Sequence, residues 1–231
     1  MNNIHSRFSG ASWYKYYEDT FSDNKILVSG LGGTGSWIAF LLTRAGHNVI
    51  ANDYDKIEDH NLSGQFFNIT QVGNYKTEAV KSNIYYFSND YIEIINRKIE
   101  DLNINIILNT NIVFSCFDNM ESRKHLFTIW KQNPNRLVFV DPRLSFNFFQ
   151  LFFVTKENEE EYIKTLINDE LIPNEACTLK QTTSMATLIA STAVNYLNNF
   201  IINLKENNKI MDIPFYTEYD LNLNIWKNEY K

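Results

Sequence analysis

The sequence predicts an α/β fold: a doubly wound, mainly parallel sheet with antiparallel strands added on the C-terminal side. Three observations predict it. A short apolar run, Ile26 to Ser29, ends in four glycines at 30, 32, 33 and 35 and leads into a helical pattern. Apolar runs of strand length then alternate with helical periodicity as far as Asp141. Beyond it the alternation stops, and a long aromatic run, Leu144–Thr155, suits strands paired antiparallel. All eight glycines lie at or before Gly73. Backbone freedom, and the ligand site expected with it, therefore belongs to the N-terminal third.

In chain order, strands are expected at Lys25–Ser29, Asn48–Asp53, Tyr91–Asn96, Ile112–Cys116 and Arg136–Asp141. Helical patterns lie between them at Ser36–Ala45, Lys76–Phe87 and Glu121–Gln132. Strands joined through helices pair in parallel, with helices on both faces. Lys156–Asp169 is charged and reads as helical. Thr182–Asn203 is a long apolar helix, broken by Ser, Thr and Asn, and is expected to lie against the sheet or a second subunit. Ile213–Trp226 reads as one or two strands.

The 231 residues, 44% apolar, suffice for one full core. A net charge of −6 and the lack of a basic run argue against a nucleic-acid binder. Arg123-Lys-His125 reads as a solvated helix face. No apolar stretch approaches the roughly 18 residues of a membrane span. Met1–Gly10 is polar, without the apolar centre of a signal peptide. The two cysteines, Cys116 and Cys177, fit free thiols in a reducing compartment, so a cytoplasmic location is expected. Their separation excludes a Cys-x-x-Cys zinc pair, and His5, His47, His60 and His125 share no ligand spacing.

The glycine loop reads Gly30-x-Gly32-Gly33-x-Gly35, followed by Ser36. Glycines let backbone approach a phosphate, and the N–H groups of the first helical turn then bind it. The third glycine falls one place early for a strict dinucleotide fingerprint, and alone the loop also fits a strand–helix turn that needs glycine for packing. The second strand ends in Asp53-Tyr-Asp55, where an acidic residue accepts hydrogen bonds from ribose hydroxyls in doubly wound folds. Further polar positions follow at Asn61, Gln65 and Lys76, and at Asp118-Asn119 after the fourth strand. Taken alone, Lys76 would be a solvated lysine, and Asp118-Asn119 a cap for the next helix.

Together these blocks resemble the ThiF/MoeB/ubiquitin-activating superfamily, with its Rossmann-like sheet. The family pattern is Gly-x-Gly-Gly-x-Gly-Ser, Asp-x-Asp-x-Val, Ser-Asn-Leu-x-Arg-Gln, Gly-x-x-Lys and Asp-Asn-x-x-x-Arg, and the match runs from Ile26 to Arg123. The resemblance implies one adenylating domain over 1–231: an arm (1–24), a nucleotide-binding half (25–142), and a C-terminal part of antiparallel strands, long helix and tail (143–231). It implies ATP and Mg²⁺ as cofactors and adenylation of a carboxylate, usually the C-terminal glycine of a small β-grasp protein, ubiquitin-like or sulfur-carrier, or of a peptide. By resemblance Gly30, Gly32, Gly33, Gly35 and Ser36 cradle phosphate, with Asp53 and Asp55 beside the ribose. Asn61, Gln65 and Lys76 contact phosphates, and Asp118, next to Asn119, binds Mg²⁺ through oxygen. Arg7 resembles the N-terminal arginine that reaches the partner subunit's ATP, which implies a homodimer.

One position departs from the pattern. The family has arginine before Gln65, and this chain has Gly64. Arg7 and Lys56 are candidates to replace its charge, and a non-catalytic scaffold of the same fold stays open as an alternative. An NAD-dependent oxidoreductase is a second alternative, although it would give the Asn61–Gln65 and Asp118 blocks no role. Cys177, followed by Thr182-Thr183-Ser-Met185 before the long helix, resembles the acceptor cysteine of the compact activating enzyme of ubiquitin-fold modifiers. The alternative for it is a small structural cysteine. Cys116, inside an apolar strand, is expected in the core.

Overall fold

The computed structural model describes residues 10–21, 23–167, 182–205 and 211–231. Arg7 and Cys177 lie outside the described residues. Apolar patterning dictates the centre of the sheet. Strands β1 (Ile26–Ser29), β2 (Val49–Asn52) and β4 (Ile112–Ser115) are buried along their whole length, as parallel strands covered on both faces must be. With β3 (Glu93–Ile95), β5 (Val138–Ser145), β6 (Phe148–Val154), β7 (Tyr216–Asp220) and β8 (Ile225–Glu229) they form one sheet, ordered β3-β2-β1-β4-β5-β6-β7-β8. The first five strands in that order pair in parallel, with Ile26 opposite both Val49 and Ile112. From β5 to β8 the pairing is antiparallel.

Side chains alternate across the sheet with a period of two. On β1, Ile26 and Val28 enter one apolar cluster and Leu27 the other. The first cluster is closed by α1 (Ser12–Phe21), α2 (Gly33–Arg44), α3 (Lys76–Ser88) and α7 (Thr183–Asn203), through Tyr17, Ile38, Val80 and Ile189 among others. The second is closed by α4 (Ile104–Leu108), α5 (Met120–Trp130) and α6 (Glu159–Ile163), through Ile107, Phe127, Trp130 and Tyr162. The long apolar α7 lies against α1, α2, β5 and β6 of its own chain, so its burial calls for no second subunit. Among the described residues no helix is long and apolar enough to cross a membrane.

Several elements differ from expectation. Helix α2 begins at Gly33 rather than Ser36, so two of the loop glycines are helical. The aromatic run pairs antiparallel as expected, and its turn falls inside it: a β5–β6 hairpin turns at Phe146-Asn147, with Phe146 at φ 44°. Pro142 sits inside β5 at no cost to the parallel ladder, because pairing with β4 ends at Val140. In the charged stretch after Lys156, only Glu159–Ile163 is an α-helix among the described residues. Helices α1 and α4 add to the expected set; α1 is held by Tyr17, which is 2% exposed and donates to the Asn24 carbonyl.

Candidate functional site

The site follows from strand order. Strand β1 lies between β2 and β4, and the chain reaches those neighbours through crossovers on opposite faces. A crevice therefore opens beyond the carboxyl ends of β1 and β4. Its floor is glycine for steric reasons. Gly30 has φ +87°, and a Cβ there would lie 2.6 Å from the Cys116 carbonyl oxygen. A Cβ on Gly35 would lie 1.8 Å from the Gly30 oxygen. Gly32 differs: a Cβ there would meet nothing within 4 Å. The protein's own packing therefore does not demand glycine at 32. Gly32 is also the N-cap of α2 and no side chain caps that helix, which leaves its first-turn N–H groups facing the crevice.

Asp53 latches the loop. Its Oδ2 accepts from the Leu31 N–H at 2.6 Å and its Oδ1 from the Asp55 N–H at 2.8 Å. Burial pushes its carboxyl above the ordinary range, opposed by Lys76 and by the two N–H groups. Each oxygen keeps a second lone pair for a ligand. Lys76, at the start of α3, is 7% exposed, and its Nζ meets Asp55 Oδ2 at 2.9 Å. It is therefore a buried cation directed at the carboxylates after β2, not a solvated lysine. Asn61 is buried, and its Oδ1 accepts from the Glu58 N–H, leaving Nδ2 as its donor.

Other expected contacts have tasks within the protein. Ser36 Oγ donates to the Gly32 carbonyl at 2.7 Å and accepts from the Phe66 N–H at 3.0 Å, tying the glycine loop to the following one. Gln65 lines a cavity of about 820 Å³ with Trp37, Phe66 and Phe87. That lining includes none of Gly30–Gly35, Asp53, Lys76 or Asp118. The Gly64 carbonyl accepts from Trp37 Nε1 at 3.0 Å. Lys56 Nζ stands over the Tyr75 ring at 5.1 Å.

The wall across the crevice is the turn after β4. Asn119 caps α5, its Oδ1 accepting from the Ser122 N–H at 2.8 Å. That leaves Asp118 outside the helix and exposed, with Oδ1 3.3 Å from Asn119 Nδ2. Cys116 is buried as expected, and burial pushes its thiol up to about 12, which makes it inert. Arg123 corrects the expectation of a solvated face. It is 5% exposed and ion-paired with the fully buried Asp141. Burial and the neighbouring Arg143 lower its pKa to about 10. The sequence holds a signal for this: Arg123 shares the i, i+3, i+4, i+7 stripe of Leu126, Phe127 and Trp130, the buried face of α5. Among the described residues no group of three His, Cys, Asp or Glu could hold a metal ion alone.

The sequence profile of the ThiF family matches residues 11–229. The chain belongs to the ThiF family. It is 33% identical over 115 residues to ubiquitin-like modifier-activating enzyme 5 of Caenorhabditis briggsae, covering 44% of this chain and 27% of that protein. The same enzyme of Drosophila persimilis is 36% identical over 124 residues, covering 47% and 32%. The matched stretch thus spans about a third or less of the length of these curated relatives. Among solved structures, E. coli MccB with ATP superposes with a TM-score of 0.72 at 16% identity, over all of this chain and 72% of MccB. PaaA superposes with a TM-score of 0.69 at 13% identity, over 94% of this chain and 75% of PaaA. At these identities the likeness establishes the shared fold: a mainly parallel sheet with antiparallel strands added.

Proposed function

We infer that this ThiF-family chain adenylates the C-terminal carboxylate of a small β-grasp protein, ubiquitin-like or sulfur-carrier, or of a peptide, using ATP and Mg²⁺. One observation carries the reading: at the ends of the adjacent parallel strands β1 and β4, a glycine loop with open space at Gly32 packs through Gly30 against the backbone that leads into the exposed carboxylate Asp118. In the reaction a carboxylate oxygen bonds to the α-phosphorus while the bond to the pyrophosphate oxygen breaks, giving an acyl-adenylate. Negative charge on the phosphates is met by donors fixed beforehand: the first-turn N–H groups of α2, Asn61 Nδ2 and Lys76. Lys76 would exchange Asp55 for phosphate. Asp53 keeps the loop in place through Leu31 and offers its remaining lone pairs to the ribose. Bound Mg²⁺ would neutralise phosphate charge, and Asp118 would hold it through a carboxylate oxygen.

The family relatives support this reading. Ubiquitin-like modifier-activating enzyme 5 is named for a ubiquitin-like modifier, and MccB has been solved with AMPCPP and MccA. A homodimer with Arg7 reaching across, a cytoplasmic location, and Cys177 as acceptor thiol belong to the same proposal. A second reading is favoured by Gly64: without the family's arginine, the chain would be a non-catalytic scaffold. Pyrophosphate exchange decides between them. Incubated with Mg²⁺, ATP, labelled pyrophosphate and glycine-ending β-grasp proteins or peptides encoded beside its gene, the enzyme should return label to ATP only with the right carboxylate. A thiol-sensitive adduct would place Cys177 downstream. Tight ATP·Mg²⁺ binding without exchange for any such partner would favour the scaffold.

A further inference from the structure

Among the described residues, one buried charge cluster that the proposed chemistry leaves unused lies directly behind Asp118. Arg123, in the first turns of α5, reaches back under its own helix start. One guanidinium nitrogen, Nη2, donates to the carbonyl of Phe117, the residue before Asp118. The other, Nη1, pairs with Asp141 Oδ1, and lies 3.5 Å from the Pro142 carbonyl. Asp141 is fully buried, and its Oδ2 accepts from Arg143 Nε at 2.8 Å and from the Tyr162 hydroxyl at 2.9 Å. Arg143 in turn is fixed by the Thr165 carbonyl and hydroxyl and by the face of Phe152, 4.4 Å away. Two cations and one carboxylate share this interior, so the cluster carries a surplus positive charge close to Asp118, and Asp118 is one of the charges favouring protonated Arg123.

Such an arrangement is costly as mere packing. Ion pairs removed from water repay their desolvation poorly, and apolar residues of similar volume often serve stability as well. What a guanidinium adds is geometry: a planar fork that grips two acceptors at once, which lysine cannot reproduce. Here the two acceptors are a carboxylate locked in β5 and the carbonyl at the exit of β4. We propose that Arg123, oriented by Asp141, is a positioning residue that holds the Phe117–Asp118 turn so that the exposed Asp118 carboxylate meets the metal of a bound nucleotide. The inference rests on the role proposed for Asp118.

The test separates positioning from bulk stability. In Arg123→Lys the charge stays and the fork is lost. By calorimetry, affinity for ATP with Mn²⁺ should fall at least tenfold, whereas affinity for AMP without metal should stay within twofold of wild type. In an Asp118→Ala background the same substitution should cost nothing further, because its effect passes through Asp118. Should Arg123→Lys fold poorly, Arg123→Met removes the surplus cation, leaves Asp141 paired with Arg143 and Tyr162, and carries the same expectation. Hydrogen exchange of the ligand-free protein gives a readout independent of nucleotide. The Ser122 amide, held by the Asn119 side chain of that turn, should exchange at least tenfold faster in the variant, and the amides of β4 should be unchanged. Equal loss of ATP·Mn²⁺ and AMP binding, additivity with Asp118→Ala, or unaltered exchange at Ser122 would overturn the proposal. If wild type binds no nucleotide at all, the adenylation reading fails by itself, and the exchange result still decides whether Arg123 holds the turn.

Discussion

The two halves of one sheet differ in composition, mostly aliphatic in β1, β2 and β4 and aromatic in β6, and only the first makes a crevice. In the parallel half, each strand must cross over before its neighbour can pair, and every crossover leaves a carboxyl end facing a helix start. Between β1 and β4 the crossovers part, and Gly30–Gly35, Asp53, Lys76 and Asp118 collect there. In the antiparallel half two of the three connections return at once, through Phe146-Asn147 between β5 and β6 and through residues 221–224 between β7 and β8; the third carries α6 and α7. Such turns close on themselves. The second half therefore supports the site rather than lining it: α7 closes one face of the sheet, and Asp141 in β5 holds Arg123.

The sharpest way to break this comparison is to change one side chain in each half. In Gly35→Ala the new Cβ would lie 1.8 Å from the Gly30 oxygen, and backbone cannot yield as a side chain can. We expect a loss of about 3 kcal/mol or more, or failure to fold, measured by urea denaturation. A variant as stable as wild type would show that the loop does not pack Gly35 against Gly30. Truncation in the other half should cost stability without touching the site. Phe149→Ala empties a fully buried position between Tyr219 and Trp226 and should cost about 3–5 kcal/mol, with nucleotide affinity unchanged in the folded fraction. A matching loss of affinity would mean that the antiparallel half belongs to the site itself.

These two regions are also unequally legible in the sequence. The glycine loop, Asp53, Lys76 and Asp118 stand out because backbone close to phosphate needs glycine, and because charge at strand ends contrasts with apolar runs. The hairpin at Phe146 does not: a phenylalanine at positive φ, held by strands on either side, has no local signature. Arg123 misleads since a basic triplet suggests a solvated face, and its partner Asp141 is distant in sequence. The helical stripe through Trp130 carries the contrary information. Likewise α7 leaves a second subunit open as its cover, because a sequence does not show that α1 and α2 will lie beside it.

Smaller effects sharpen the comparison within the parallel half. Gly32→Ala places its methyl group in open space, so stability should stay within about 1 kcal/mol of wild type. ATP affinity should nevertheless drop about tenfold, since the methyl occupies the side from which phosphate would approach. Unaltered affinity would move the phosphate elsewhere. Smallest is a pH effect at Asp53. Burial raises its carboxyl from the ordinary 3.8, so the folded protein binds this proton more tightly than the unfolded chain. The stability linked to it is present below about pH 3.8 and is lost as pH climbs through the raised value. Compared with Asp53→Asn, which cannot ionise, wild type should therefore lose relative stability as pH rises across that window. Urea midpoints showing wild type gaining on Asp53→Asn as pH rises would contradict the dominance of burial at this carboxyl.

Calorimetric titration with ATP and Mg²⁺, beside NAD, of wild type and Asp118→Ala tests the central claim most directly. Wild type should bind ATP more tightly with Mg²⁺ than without it and bind NAD at least a hundredfold more weakly. Asp118→Ala should keep the fold and the metal-free affinity and lose the gain from Mg²⁺, because an exposed carboxylate supplies oxygen to the metal and little to the core. Tight NAD binding by wild type, or an undiminished Mg²⁺ gain in Asp118→Ala, would contradict the assignment of this crevice to metal-assisted adenylation.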